Sequence, residues 1–196
     1  MTENGTTTNI LISGVGGQGV LLASYVLGQA AMKEGYEVKQ SEVHGMSQRG
    51  GSVVSHLRFG ERLASPIVTQ GTADFLLSFE PLEALRFFNW LRPGALLIYN
   101  TLRVNPSTVA AGLATYPDGI HERIAQAWPN SRGIDATLLA EEAGTAKATN
   151  IVMLGSIARE LPFPLETWRH IIGRVVPPKT VDTNMKAFEL GRAAGR

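Results

Sequence analysis

A three-layer α/β/α sandwich is the fold class this sequence predicts, and three observations lead to it. Short apolar runs alternate with helix-length stretches along the chain, a pattern of layered α/β folds rather than of bundles or β-sandwiches. The first run and the first helical stretch are joined by Gly14-Val15-Gly16-Gly17-Gln18-Gly19, which makes a Rossmann-like start. No internal repeat or linker-like tract divides the 196 residues. One domain over 1–196 is therefore expected, with residues 1–8 flexible.

The elements follow in order. Residues 9–13 are an apolar strand ending at the glycine turn. Residues 20–33 are apolar almost all round, with Ser24, Gln29 and Lys33 as the polar exceptions, as in a helix packed on a sheet. Glu34-Gly35 stops that helix, since glycine suits a left-handed C-cap. Residues 36–41 and 51–59 read as strands two and three, joined by a polar, glycine-containing loop over 42–50. Residues 74–79 form a buried strand, and Pro81 opens a helix reaching Trp90. Arg92-Pro93-Gly94 is a turn before another buried strand at 95–99. The stretch 105–130 contains three prolines and yields one helix, at 121–128. Residues 134–136 lead into a short helix at 137–143. Three more helices lie at 148–160, at 165–173 and from 179 to the end.

Composition excludes several classes of function. Eighteen basic and 17 acidic residues leave a net charge of +1, no footprint for nucleic acid or an anionic membrane surface. No run of about 18 apolar residues occurs, so no bilayer span is predicted. The start is polar and Thr-rich, unlike a secretory signal, and a cytoplasmic location is expected. The absence of cysteine removes disulfides, a thiolate nucleophile and cysteine-ligated iron–sulfur clusters from this chain. His44, His56, His121 and His170 include no pair four residues apart, so no metal ligand set and no catalytic residue is assigned here.

Two loops carry the chemistry. Gly14, Gly16, Gly17, Gln18 and Gly19 sit between a strand and a helix, where backbone amides and the helix dipole favour a phosphate. Glu42 follows Gly19 at the distance expected of a ribose-binding acid. A tight turn without a ligand is the alternative. The second loop brings Glu42, His44, Ser47, Gln48, Arg49 and Gly50 into one connection, a composition that suits substrate binding or an interface. Arg49 in particular suits a phosphate or carboxylate across a chain boundary. His56 and Arg58 are read as the exposed face of strand three, and Glu141-Glu142 as a solvated helix end. Asn150 is either a polar interface contact or a helix-start residue. Trp128 and Trp168 are read as core or interface anchors.

Taken together, Gly14-Val-Gly-Gly-Gln-Gly19 and Ser41-Glu-Val-His-Gly-Met-Ser-Gln-Arg-Gly-Gly51 resemble the gamma-type subunits of 2-oxoacid:ferredoxin oxidoreductases. The wording is nearest to the small (beta) subunit of the indolepyruvate enzymes, and the C-terminal Asn150-Ile-Val-Met-Leu-Gly155 and Asn184-x-x-Ala187-Phe188-x-x-Gly191 agree. The resemblance implies a mixed, mainly parallel sheet. It implies oxidative decarboxylation of a 2-oxoacid on thiamine diphosphate with Mg, electrons leaving through iron–sulfur clusters to ferredoxin, and transfer of the acyl group to coenzyme A. The thiamine site and the clusters are expected in a large partner subunit. Accordingly, the chain lacks cysteine and a Gly-Asp-Gly thiamine motif; Asp118-Gly119 comes nearest, but Pro117 precedes it. The first turn is expected to face coenzyme A phosphates, the second loop to shape an interface or substrate entrance, and aryl pyruvates to be favoured. An exposed apolar patch is expected where the partner docks. Two other readings stand beside this one: a stand-alone NAD- or flavin-binding Rossmann oxidoreductase using Gly14, Gly16, Gly19 and Glu42, and a scaffold subunit.

Overall fold

The computed structural model describes residues 7–44 and 51–195. Strand β1 (Thr8–Val15) begins at the last residue of the segment expected to be flexible and runs into the glycine turn. Helix α1 (Val20–Lys33) has the bounds its apolar run predicted, and Gly35, with φ 86°, follows its C-cap. Strands β2 (Glu37–His44) and β3 (Ser52–Gly60) come next, then β4 (Ala73–Ser78) and α2 (Pro81–Phe87). β5 (Leu91–Asn100), the one-turn α3 (Ser107–Ala110), α4 (Ile120–Ala127) and β6 (Ser131–Ile134) follow. The chain closes with α5 (Ala136–Ala143), α6 (Thr149–Ile157), α7 (Leu165–Val175) and α8 (Val181–Ala194).

The sheet order is β2-β3-β1-β4-β5-β6. β1, β4, β5 and β6 are parallel, while β3 runs antiparallel to both β1 and β2, so the mixed, mainly parallel sheet is observed. Both faces are covered, which is why β1 and β4 read as apolar runs rather than alternating ones. Ile10 and Ile12 of β1 enter the core shared with α1 and α5–α8, whereas Leu11 between them enters the core beneath α2 and α4. All three are fully buried, each contributing roughly 1.5–3 kcal/mol of apolar burial.

Four expectations need correction. Glu42, Val43 and His44 belong to β2 rather than to a loop, because their backbone continues the ladder with Ser55, Val54 and Val53 of β3. Arg92-Pro93-Gly94 lies within β5, at an exposed stretch where the register with β4 shifts; such an irregularity accommodates a proline. β6 has only four residues and half-exposed or exposed positions before Ile134, too little apolar pattern to signal a strand. His56 and Arg58 are buried, at 3% and 9% exposure, because residues 61–72 fold over their face. His56 Nδ1 accepts from the Val68 amide (3.2 Å), while Arg58 donates to Asn9 Oδ1 (2.7 Å) and the Ser65 carbonyl (2.8 Å). Burial lowers the His56 pKa, consistent with a neutral ring whose Nδ1 is an acceptor.

Candidate functional site

Helix α1 leaves β1 for one face of the sheet, and α2 leaves β4 for the other. The carboxyl ends of these adjacent parallel strands are therefore a topological switch point, where open α/β sheets form their ligand crevice. The glycine turn lies there. Gly17 and Gly19 have φ of 103° and 82°, a region costly for any residue with a Cβ. Gly14 is constrained differently: a Cβ on it would sit 2.8–2.9 Å from Val20, Gln18 and Phe79.

Gln18 holds the turn shut from within. Its Oε1 accepts from the Val15 amide (2.7 Å), and its Nε2 donates to the Phe79 carbonyl (2.9 Å), so one side chain ties the end of β1 to the end of β4. Both polar ends are thus occupied inside the chain, and Gln18 shapes the turn. The amides of Gly17 and Gly19 make no backbone hydrogen bond among the described residues, and no side chain caps α1. With the first-turn amides of Val20, Leu21 and Leu22, they leave a positive helix end facing a cavity of about 400 Å³ bordered by Val15, Gly16, Gly17, Gly19, Leu21 and Leu22.

The second loop meets the first through its last residue, since the Gly16 amide donates to the Gly51 carbonyl (2.9 Å). Glu42 stands apart, exposed on edge strand β2, with β3 between it and β1; it accepts from Gln40 Nε2 (3.2 Å). A ribose-binding acid would sit on a parallel neighbour of β1, and that neighbour here is β4. The backbone of His44 closes the β2 ladder, while its side chain, Ser47, Gln48, Arg49 and Gly50 lie outside the described residues. Around the cavity mouth, Leu21, Leu22 and Tyr25 of α1 are 38–49% exposed. Leu21, Leu22 and Tyr25 line one side of a shallow groove whose other side is residues 40–42.

Other polar residues of this edge carried no clear sequence signal. Glu80, fully buried, caps α2 by accepting from the Leu82 (2.6 Å) and Glu83 (3.1 Å) amides, and its other oxygen accepts from Tyr116 Oη (2.6 Å). Glutamate is not a usual N-cap residue, so only Pro81 marked the helix start. Glu83, also buried, accepts from Ser52 Oγ at the foot of β3. Burial pushes its carboxyl pKa up, against the Ser52 hydrogen bond and Arg86, which pull it down. Asn100 Oδ1 accepts from the Ala136 amide (3.1 Å), fixing the start of α5. No group of three or more acidic or histidine side chains placed to hold a metal occurs among the described residues.

Residues 9–194 match the family described as Pyruvate ferredoxin/flavodoxin oxidoreductase. The chain belongs to that family. Indolepyruvate oxidoreductase subunit IorB of Thermococcus kodakarensis is 47% identical over 193 residues, covering 96% of each chain. The gamma subunit of a keto/oxoacid ferredoxin oxidoreductase from Geobacter sulfurreducens shares the fold, with a TM-score of 0.71 at 23% identity, over 96% of this chain and 98% of that one. A 2-oxoglutarate:ferredoxin oxidoreductase from Magnetococcus marinus, solved with 2-oxoglutarate, coenzyme A and succinyl-CoA bound, matches with a TM-score of 0.71 at 19% identity. That match covers 96% of this chain but 31% of the other, so the fold occurs there as one part of a longer polypeptide. This protein is accordingly a gamma-type small subunit of a 2-oxoacid ferredoxin oxidoreductase, an enzyme component with a larger partner subunit. The stand-alone Rossmann reading fails on the sheet order and the position of Glu42. No helix among the described residues of the subunit is long and apolar enough to cross a membrane.

Proposed function

We propose that this subunit completes an enzyme that oxidatively decarboxylates aryl pyruvates such as indolepyruvate and passes the acyl group to coenzyme A, with the glycine turn receiving the coenzyme A phosphates. The observation that carries this reading is the turn itself: unengaged amides of Gly17 and Gly19 at the positive end of α1, at the switch point between β1 and β4. The coenzyme A in the Magnetococcus marinus relative and the name of the Thermococcus kodakarensis relative support it. Thiamine diphosphate with Mg and the iron–sulfur clusters reside in the larger subunit, since this chain has no cysteine to ligate a cluster. Ferredoxin is the electron acceptor of the assembled enzyme. The exposed Leu21, Leu22 and Tyr25 favour docking of the larger subunit around the same mouth.

The test is reconstitution. The isolated chain is expected to be colourless and inactive, and addition of the larger subunit to restore 2-oxoacid- and coenzyme A-dependent reduction of ferredoxin or a viologen dye. Oxidation of indolepyruvate by the chain alone would end this reading. Arg49→Ala then assigns the second loop. Loss of a charged hydrogen bond costs about 1.5–3 kcal/mol, read either in the KM for coenzyme A, if Arg49 holds the ligand, or in the subunit dissociation constant, if it meets the partner. No change in either removes Arg49 from the site.

A further inference from the structure

We propose that Asn150, on the first turn of α6, is a further binding residue of the glycine turn, donating its side-chain amide to a phosphate oxygen of the bound nucleotide-like ligand. The proposal rests on the phosphate reading of the turn and extends it to a second helix. Asn150 is 4% exposed. Its Oδ1 accepts from the Ile151 amide (3.0 Å), whereas its Nδ2 has no acceptor among the described residues. Nδ2 is also the atom nearest to where a Cβ of Gly19 would project, 2.9 Å away. An amide nitrogen without a partner, on a side chain that is otherwise enclosed, is a donor left open to a ligand. Here it is held beside the residue that opens α1, next to amides that also lack acceptors.

These donors share one demand. The Gly19 and first-turn amides of α1 form the positive helix end, Asn150 Nδ2 lies against Gly19, and an anionic oxygen placed beside Gly19 would satisfy them together. The missing side chain of Gly19 then has a second cause besides φ: any Cβ would press on Asn150 Nδ2 and close the gap. Asn150 contributes binding and orientation, and takes no part in proton or electron transfer.

The experiment uses the assembled two-subunit enzyme, with coenzyme A compared against pantetheine, which lacks the phosphates. In the wild type, coenzyme A should have the lower KM. Asn150→Asp, which keeps the shape but replaces a donor with a negative acceptor, should raise the KM for coenzyme A about tenfold or more while leaving the KM for pantetheine and for the 2-oxoacid unchanged. Asn150→Ala should raise it less, and thermal unfolding of both variants checks that the subunit is folded. Gly17→Val, which strains the turn without touching Asn150, separates the two claims. If Gly17→Val raises the KM for coenzyme A and the folded Asn150 variants do not, the role of Asn150 is overturned and the phosphate reading stands. If neither raises it, both are overturned. If pantetheine and the 2-oxoacid suffer as much as coenzyme A, Asn150 only supports the structure, and the proposal is wrong.

Discussion

The contact between α6 and α8 and the crevice at the ends of β1 and β4 both depend on glycine, for opposite reasons. Between the helices, Gly155 and Gly191 let two backbones touch: a Cβ on Gly191 would fall on the carbonyl oxygen of Val152, and one on Gly155 on that of Phe188. Neither has positive φ. In the crevice, Gly17 has positive φ and nothing within 4 Å of where its Cβ would lie. The first pair is glycine because there is no room, whereas Gly17 is glycine because of its backbone conformation. Packing glycines act on stability, and under the proposed function the turn glycines act on binding.

The largest expected effect lies at the helix contact. Gly191→Val must force α8 off α6, with a loss of about 3 kcal/mol or more and a fall in Tm of roughly 10 °C for a chain of this size. Thermal unfolding followed by circular dichroism checks it. Molecules that remain folded and assembled should keep the wild-type KM for coenzyme A. A Tm within about 2 °C of wild type would mean the helices are not held at backbone contact.

The crevice also contains buried acids, and this gives a smaller, pH-dependent difference. Burial holds the Glu83 pKa above the usual 4.5, so the folded state retains that proton at higher pH than the unfolded chain does. The resulting stability is fully present below about 4.5 and is lost as pH rises through the elevated folded value. Glu83→Gln keeps an acceptor for Ser52 but cannot ionise. Its Tm relative to wild type should therefore climb as pH is raised from 4 through that window. A difference that stays flat with pH would place Glu83 in contact with water.

Legibility in the sequence followed the same division. Helix α1 was readable to the residue because an apolar run lies between Gly19 and Glu34-Gly35. The end of β2 was not, since Glu42 and His44 flank a single apolar residue and are held in the strand by β3 rather than by their own pattern. A period of two correctly places His56 and Arg58 on one face, but only tertiary structure supplies the cover: Ser65 and Val68 meet those side chains from a segment with no regular pattern. In the site, the glycines and their position were legible as a turn between strand and helix. The Gln18 clamp, the Glu80 cap and the position of Asn150 beside Gly19 join residues 61 to 131 positions apart or use an unusual capping residue, which no local pattern encodes.

One measurement tests the central claim most directly: the KM for coenzyme A of the assembled enzyme carrying Gly17→Val, beside its Tm. Val at a φ of 103° costs roughly 1–3 kcal/mol of backbone strain, so Tm should fall by about 5 °C. The KM for coenzyme A should rise about tenfold or more as the turn's amides lose their alignment. A comparable fall in Tm with the KM for coenzyme A unchanged would contradict the account, and the turn would then be a tight connection that meets no phosphate.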